Sequence, residues 1–171
     1  RIATLGTGVI FVWSVHDRLT PAYLGRAAWF YRMVVGRTCD GFIVNSESTL
    51  ATVRTGDQPV LVLPPSIKPT ATHRQHSRQL QVTVLGRIAP WKGQDLAIKA
   101  FAAELGATSA VLSIVGAPLF GEDSYLKSLV ELAHDLGIEK QVRFTGQVDD
   151  PSAELARTDV LLHASRLPEP F

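Results

Sequence analysis

The chain has 171 residues, 46% hydrophobic and 19% charged, with a formal net charge of +1. That balance suits a globular protein with a sizeable core and excludes a disordered chain, while the near-neutral charge with no basic run argues against nucleic acid as a partner. The single cysteine, Cys39, excludes a disulfide framework or a cysteine-based zinc site and fits a reducing compartment, and the longest apolar run, Val9 to Trp13, is far too short to span a bilayer.

In chain order, Gly6-Thr7-Gly8 reads as a turn or as backbone lining a ligand site, because the third glycine of a dinucleotide loop is absent and the pair precedes its strand. Val9 to Trp13 reads as a buried strand delivering Ser14, Val15, His16 and Asp17 to a loop. Thr20 and Pro21 signal a helix start, and Leu24, Ala27, Ala28, Tyr31, Val34 and Val35 follow at helical spacing. Gly41 to Val44 is a second strand running into Asn45-Ser46-Glu47-Ser48, whose hydroxyls cap a short helix ending near Gly56, and Val60 to Leu63 is a third strand.

From Pro64 to Gln79 the composition turns to proline, hydroxyl and basic residues with almost nothing apolar. The boundary is therefore set at a linker, residues 67–79, between a first domain, 1–66, and a second, 80–171. His73 and His76 are spaced for one helix face, but no carboxylate or cysteine accompanies them, so they read as solvated linker residues.

Beyond the linker, strand and helix signals alternate clearly. Val82 to Leu85 is an apolar strand ending at Gly86; Arg87 follows at once, and Pro90 and Gly93 punctuate a loop holding Trp91 and Lys92. A helix from Asp95 carries Ala97, Ile98, Phe101 and Leu105 and stops at Gly106. Ala110 to Val115 is a strand ending at Gly116, and Asp123 caps a helix whose face is Leu126, Leu129, Val130, Ala133 and Leu136. Val142 to Thr145, a loop Gly146 to Asp150, a short helix Ser152 to Ala156 and a strand Val160 to Ala164 complete the pattern, leaving Ser165 to Phe171 as an exit segment. His163, inside that apolar strand, reads as a core histidine.

This βα alternation predicts an α/β protein of two doubly wound parallel sheets facing across a cleft, with His16, Arg87, Gly116, Gln147 and Glu169 at strand C-terminal edges, where open α/β sheets bind ligands. Arg87 offers a planar fork for phosphate oxygens and Lys92 a mobile point charge, a pair suited to a pyrophosphate; alone, the same two residues read as solvated surface cations. His16 alone reads as a loop histidine hydrogen-bonded to backbone, and Asp17 as a cap or structural partner. Glu169, between two prolines at a strand exit, has a stiff backbone that favours a functional carboxylate over a solvated one. Trp91 is expected to pack over its loop. The chain opens on Arg1 rather than Met and stops within a motif-like run, so it is read as a fragment with both domains incomplete.

Gly86-Arg87-Ile88, Trp91-Lys92-Gly93, Ile114-Val115-Gly116, Phe144-Thr145-Gly146 and Pro168-Glu169-Pro170-Phe171, in this order and spacing, resemble glycosyltransferase family 4, the group 1 retaining enzymes of the two-Rossmann GT-B fold. The resemblance implies that residues 1–66 end an acceptor domain and 80–171 form most of a nucleotide-sugar donor domain. It implies that Arg87 and Lys92 hold the donor diphosphate, that Glu169 touches the donor sugar, and that His16 stands at the acceptor-domain rim near the reacting sugar. Gln147, Val148 and Asp150 would line the nucleotide base, with Gly86, Gly116, Pro170 and Phe171 completing the donor site.

The implied activity is transfer of a sugar from a UDP-, GDP- or ADP-linked donor to a polysaccharide, oligosaccharide or lipid-linked acceptor, as in cell-envelope or exopolysaccharide synthesis, in the cytoplasm or at the inner face of its membrane, with peripheral membrane contact through an N-terminal part outside this chain. No two aspartates are separated by one residue, and Asp149-Asp150 is an adjacent pair, so no Asp-x-Asp metal motif is present; neither metal nor another cofactor is expected. A nucleotide-sugar epimerase of the same architecture and an inert nucleotide-binding module are the alternatives. A dehydrogenase is disfavoured because no Gly-x-Gly-x-x-Gly follows a strand.

Overall fold

A computed structural model describes residues 7–66 and 77–169. The chain divides into two compact units, one of Arg1–Lys68 with Pro168–Phe171, the other of Pro69–Leu167. The bulk of the expected linker, with His73 and His76, lies outside the described residues, as do Gly6, Pro170 and Phe171.

The first unit is a three-stranded parallel sheet, β1 (Val12–Val15), β2 (Gly41–Val44) and β3 (Val60–Val62), in that spatial order. β2 is central and buried because Phe42 and Val44 meet Val15, Leu19 and Cys39 in one apolar cluster. β1 starts three residues later than the apolar run predicts. Asp40 sets that register: Phe11 N donates to Asp40 Oδ2 at 2.8 Å, Asp40 N donates to Phe11 O at 2.7 Å, and Val12 then pairs with Gly41, leaving Val9 and Ile10 exposed.

The helix expected from Pro21 to Val35 is broken into α1 (Pro21–Leu24), α2 (Ala27–Phe30), a π-helical turn (Tyr31–Val35) and α3 (Gly36–Thr38). Gly25, at φ 56°, leaves the helical region after α1. Past it, Tyr31 reaches Trp13, whose ring also faces Phe42, at centroid distances of 6.2 and 6.0 Å. Ser46 caps α4 (Glu47–Leu50) as expected, accepting from Thr49 N at 3.1 Å, but the helix stops well short of Gly56. Thr7 and Gly8 do form a turn, with Val9 N donating to Thr7 Oγ1.

The second unit is a four-stranded parallel sheet of β4 (Gln81–Leu85), β5 (Val111–Val115), β6 (Val142–Gly146) and β7 (Val160–Leu161) in the order β6-β5-β4-β7. This is the beginning of a Rossmann order, and the direction of winding reverses at β4. β4 and β5 are interior strands, which is why they read as continuous apolar runs rather than alternations. α5 (Gln94–Leu105) buries Ala97, Ile98 and Phe101, and α6 (Asp123–Asp135) buries Leu129 and Ala133, in one core with Val82, Val84, Leu112 and Ile114. α7 (Pro151–Ala156) is capped by Asp150, whose Oδ1 accepts from Ser152 N at 2.9 Å.

Two expectations are corrected here. Glu122, not Asp123, occupies the residue before α6, and no side chain caps that end. β7 ends at Leu161, after which Leu162 N still bonds Thr83 O, and His163 is exposed rather than part of the core.

Candidate functional site

Three strands of the second unit end side by side, each on a glycine. Gly86 closes β4 at φ 150° and Gly116 follows β5 at φ 139°, while Gly146 ends β6 at φ 73°. Gly86 N donates to Val115 O and Gly116 N to Gly146 O, both at 2.9 Å, so the backbone is stitched together just beyond the sheet. The packing there is close enough that a Cβ on Gly116 would overlap the Gly86 carbonyl. The glycines leave a cavity of about 160 Å³ lined by Gly86, Arg87, Gly116, Leu119, Gln147 and Val148. Of the residues expected at the donor, Gly86, Arg87, Gly116, Gln147 and Val148 are thus brought together. Asp150 lies beyond this lining and uses its carboxylate on the α7 end.

Arg87 is fixed from both ends. Its neighbours Ile88 and Ala89 are buried, Ile88 N donates to Ala117 O at 3.0 Å, and the Arg87 carbonyl accepts from Gln94 Nε2 at 2.8 Å. Its guanidinium lies over the rings of Phe120 and Trp91, 5.1 and 5.7 Å from their centroids, and Nε is 3.7 Å from Glu122 Oε2. Lys92 lies over the same indole at 4.5 Å. Trp91 therefore does more than pack over the loop: it holds both cations against one ring, a favourable contact for each. Pro90–Lys92 is a 3₁₀ turn, and Gly93, at φ 71°, redirects the chain into α5; a side chain there would run into the Ala164 carbonyl.

Hydrogen bonds from Arg166 tie this loop and the start of α5 to the segment leaving β7. Arg166 N donates to Trp91 O at 2.8 Å, and Arg166 Nη2 donates to Asp95 Oδ2 at 2.6 Å. Tyr125 OH donates to Asp95 Oδ1 at 3.0 Å, and Lys99 Nζ is 3.9 Å from the same carboxylate. Burial, with the Asp95 carboxylate adding to it, pushes the Tyr125 phenol up to about 12. Gln94, only 1% exposed, leaves its Oε1 buried without a partner while its amide nitrogen holds Arg87.

Sequence reasoning missed Gln94, Asp95, Phe120, Glu122 and Arg166. Each acts on the cation loop from a distance in sequence or through its amide or carboxylate, and no local pattern marks such contacts. Phe120 alone leaves a trace, as an aromatic residue beside a glycine in a loop; it is 87% exposed at a positive φ of 57°.

In the first unit, His16 is exposed at the end of β1 and borders a cavity of about 260 Å³ with Trp13, Ser14, Asp17, Leu24 and Tyr31. Its Nε2 is 3.0 Å from Ser14 Oγ, and its carbonyl accepts from Asn45 Nδ2 at 2.8 Å. Asp17 is exposed and caps no helix among the described residues. Glu169 is half-buried and groups with the first unit. Among the described residues no cluster of three or more His, Cys, Asp or Glu gathers, and no helix is long and apolar enough to cross a membrane.

The cation pair stands on the loop leaving a parallel strand, and Arg87 also lines the glycine-bordered cavity at the C-terminal edge of the sheet, where open α/β sheets hold their ligands. Residues 70–171 match the family described as glycosyl transferases group 1, and the chain belongs to that family. Its fold, with a parallel sheet in each unit, is that of the GT-B glycosyltransferases. Among solved structures, HepE of Anabaena in complex with UDP and glucose is 25% identical with a TM-score of 0.80, covering 99% of this chain and 50% of that one. The same protein with UDP-glucose gives a TM-score of 0.79. Sucrose-phosphate synthase from Thermosynechococcus elongatus is 17% identical with a TM-score of 0.74, covering 94% of this chain and 45% of that one, a likeness of fold. The chain thus spans about half the length of these proteins. Comparison with curated proteins yields no match.

Proposed function

We propose that this chain carries the donor site of a retaining, metal-independent glycosyltransferase that transfers a sugar from a UDP-linked donor. The observation that carries the reading is the placement of Arg87 and Lys92 on one indole beside the glycine-lined cavity. The preference for UDP over GDP or ADP rests on the likeness to HepE, which binds UDP and UDP-glucose.

Breaking the bond between sugar and phosphate leaves negative charge on a nucleoside diphosphate. Fixed donors aimed at that charge lower the barrier because they need no reorganisation as it develops. Arg87 supplies a planar fork and Lys92 a point charge, which together take the role that a divalent cation plays in metal-dependent enzymes. Trp91, Gln94 and Arg166 hold the two in place. Gly86 and Gly116 keep the sheet edge open to the nucleotide, Gln147 and Val148 border its base, and Asp150 positions that loop by capping α7. Glu169, with Pro170 and Phe171, meets the donor sugar. His16 serves the acceptor side, where the acceptor is a glycan or a lipid-linked saccharide at the cytoplasmic face of a membrane.

The test is sugar transfer by the full-length protein from UDP-glucose, with and without EDTA, beside Arg87→Ala. One charge-assisted hydrogen bond contributes about 1.5–3 kcal/mol, so the variant should lose roughly ten- to two-hundredfold in turnover or donor binding. EDTA should leave the rate unchanged. Normal transfer by Arg87→Ala would overturn the reading.

A further inference from the structure

Between Asp17 and Asp40 the sequence holds four arginines, Arg18, Arg26, Arg32 and Arg37, and no acidic residue. In the fold this stretch is the broken helix of the first unit. It borders a cavity of about 460 Å³ lined by Pro21, Ala28, Trp29, Arg32, Met33 and Arg54. Two arginines thus line one cavity, and among the described residues its lining contains no carboxylate. Among the described residues, Arg32 Nε is buried with no hydrogen-bond partner, and the bond Arg54 makes is to the thioether of Met33, Nη1 to Sδ at 3.0 Å. Neither arginine forms an ion pair among the described residues.

Buried polar groups in folded proteins are almost always hydrogen-bonded, and an orphaned donor on a cationic side chain calls for an acceptor. Two arginines lining one cavity supply the forked donors that suit a phosphate group, whose oxygens can accept from more than one guanidinium. Trp29, a lining residue that is 66% exposed, adds a flat apolar surface that a bare inorganic ion would not use and a phosphate ester would.

We propose that the Arg32–Arg54 cavity is a binding site for the phosphate group of an organic phosphate ester. It is separate from the cation loop at Arg87 and Lys92, and it does not depend on the function proposed for that loop. Such a group is carried both by soluble phosphorylated compounds and by phospholipid headgroups, so the probes are chosen to tell the two apart.

The experiment uses Arg87→Ala/Lys92→Ala as background, which removes the other phosphate-attracting pair. Calorimetry with glycerol 3-phosphate reads the soluble source, and flotation with phosphatidylglycerol against phosphatidylcholine vesicles reads the lipid source. Binding to either phosphate probe, weakened about tenfold or more by Arg32→Gln and by Arg54→Gln, is the expected result. Arg26→Gln, which lies outside the cavity lining, should change little. Circular dichroism confirms that each variant is folded, and Arg32→Lys, which keeps the charge, separates loss of the fork from loss of the fold. The proposal is overturned if neither probe binds, or if binding is indifferent to both arginine substitutions.

Discussion

Arg166 and Asp95, 71 positions apart in the chain, meet at 2.6 Å, and the backbone of Arg166 also holds the carbonyl of Trp91. One residue therefore clamps the start of α5 and the ring that carries both site cations. Asp95→Asn keeps the shape and removes the charge. It should weaken diphosphate binding about three- to tenfold while costing roughly 1 kcal/mol in stability, as expected for a partly exposed charged pair. Calorimetry and thermal unfolding on the same samples separate the two effects; unaltered binding would show that the clamp does not position the loop.

Glu122 sits 3.7 Å from Arg87 Nε and competes with any anion for that guanidinium. Glu122→Gln should therefore tighten UDP binding about two- to fivefold, the range a single partly exposed ion pair supplies. A weaker UDP complex in titrations of the variant would mean that Glu122 orients Arg87 rather than competing for it.

Gly86 and Gly116 both adopt backbone angles that disfavour a side chain, at φ 150° and 139°. Only Gly116 adds an overlap, with the Gly86 carbonyl; a Cβ at Gly86 meets nothing within 4 Å. Gly116→Ala should therefore cost about 2–3 kcal/mol and Gly86→Ala about 1 kcal/mol. Equal losses in denaturant unfolding would rule out the close approach as the cause.

The Tyr125 phenol, pushed up to about 12 by burial and by its Asp95 partner, stays protonated in the fold where an unfolded chain would have lost the proton. Between about pH 10 and 12 the native state binds more protons than the unfolded one. Its contribution to stability is therefore complete below about pH 10 and is lost as the pH rises to about 12. Tyr125→Phe should flatten that part of the stability profile, and a slope identical to the parent would contradict the assignment.

The second unit is the more legible from sequence because two of its strands, β4 and β5, are interior and its elements are punctuated by glycine. Val82 to Leu85, Ala110 to Val115 and Val142 to Thr145 fall within a residue of β4, β5 and β6, and Gly86, Arg87, Gly116, Gln147 and Val148 do share a cavity. The first unit was harder to read. Hydrophobicity alone placed β1 on Val9, whereas a single hydrogen-bonded aspartate, Asp40, fixes its register. Periodicity likewise gave one helix where Gly25 breaks it. The apolar run Val160 to Ala164 puts His163 in a strand, but pairing with β4 ends two residues before it. Arg166–Asp95, Arg87–Glu122 and Gln94–Arg87 were invisible because each is a side-chain meeting that only the folded chain creates.

The proposed donor site stands or falls on whether Arg87 and Lys92 bind a diphosphate. Isothermal titration of the chain with UDP, GDP and ADP, with EDTA present, beside Arg87→Ala and Lys92→Ala, measures this directly. UDP binding that survives EDTA and falls at least tenfold in each variant is the predicted result. A folded chain that binds no diphosphate, or binds UDP equally well without either cation, would contradict it.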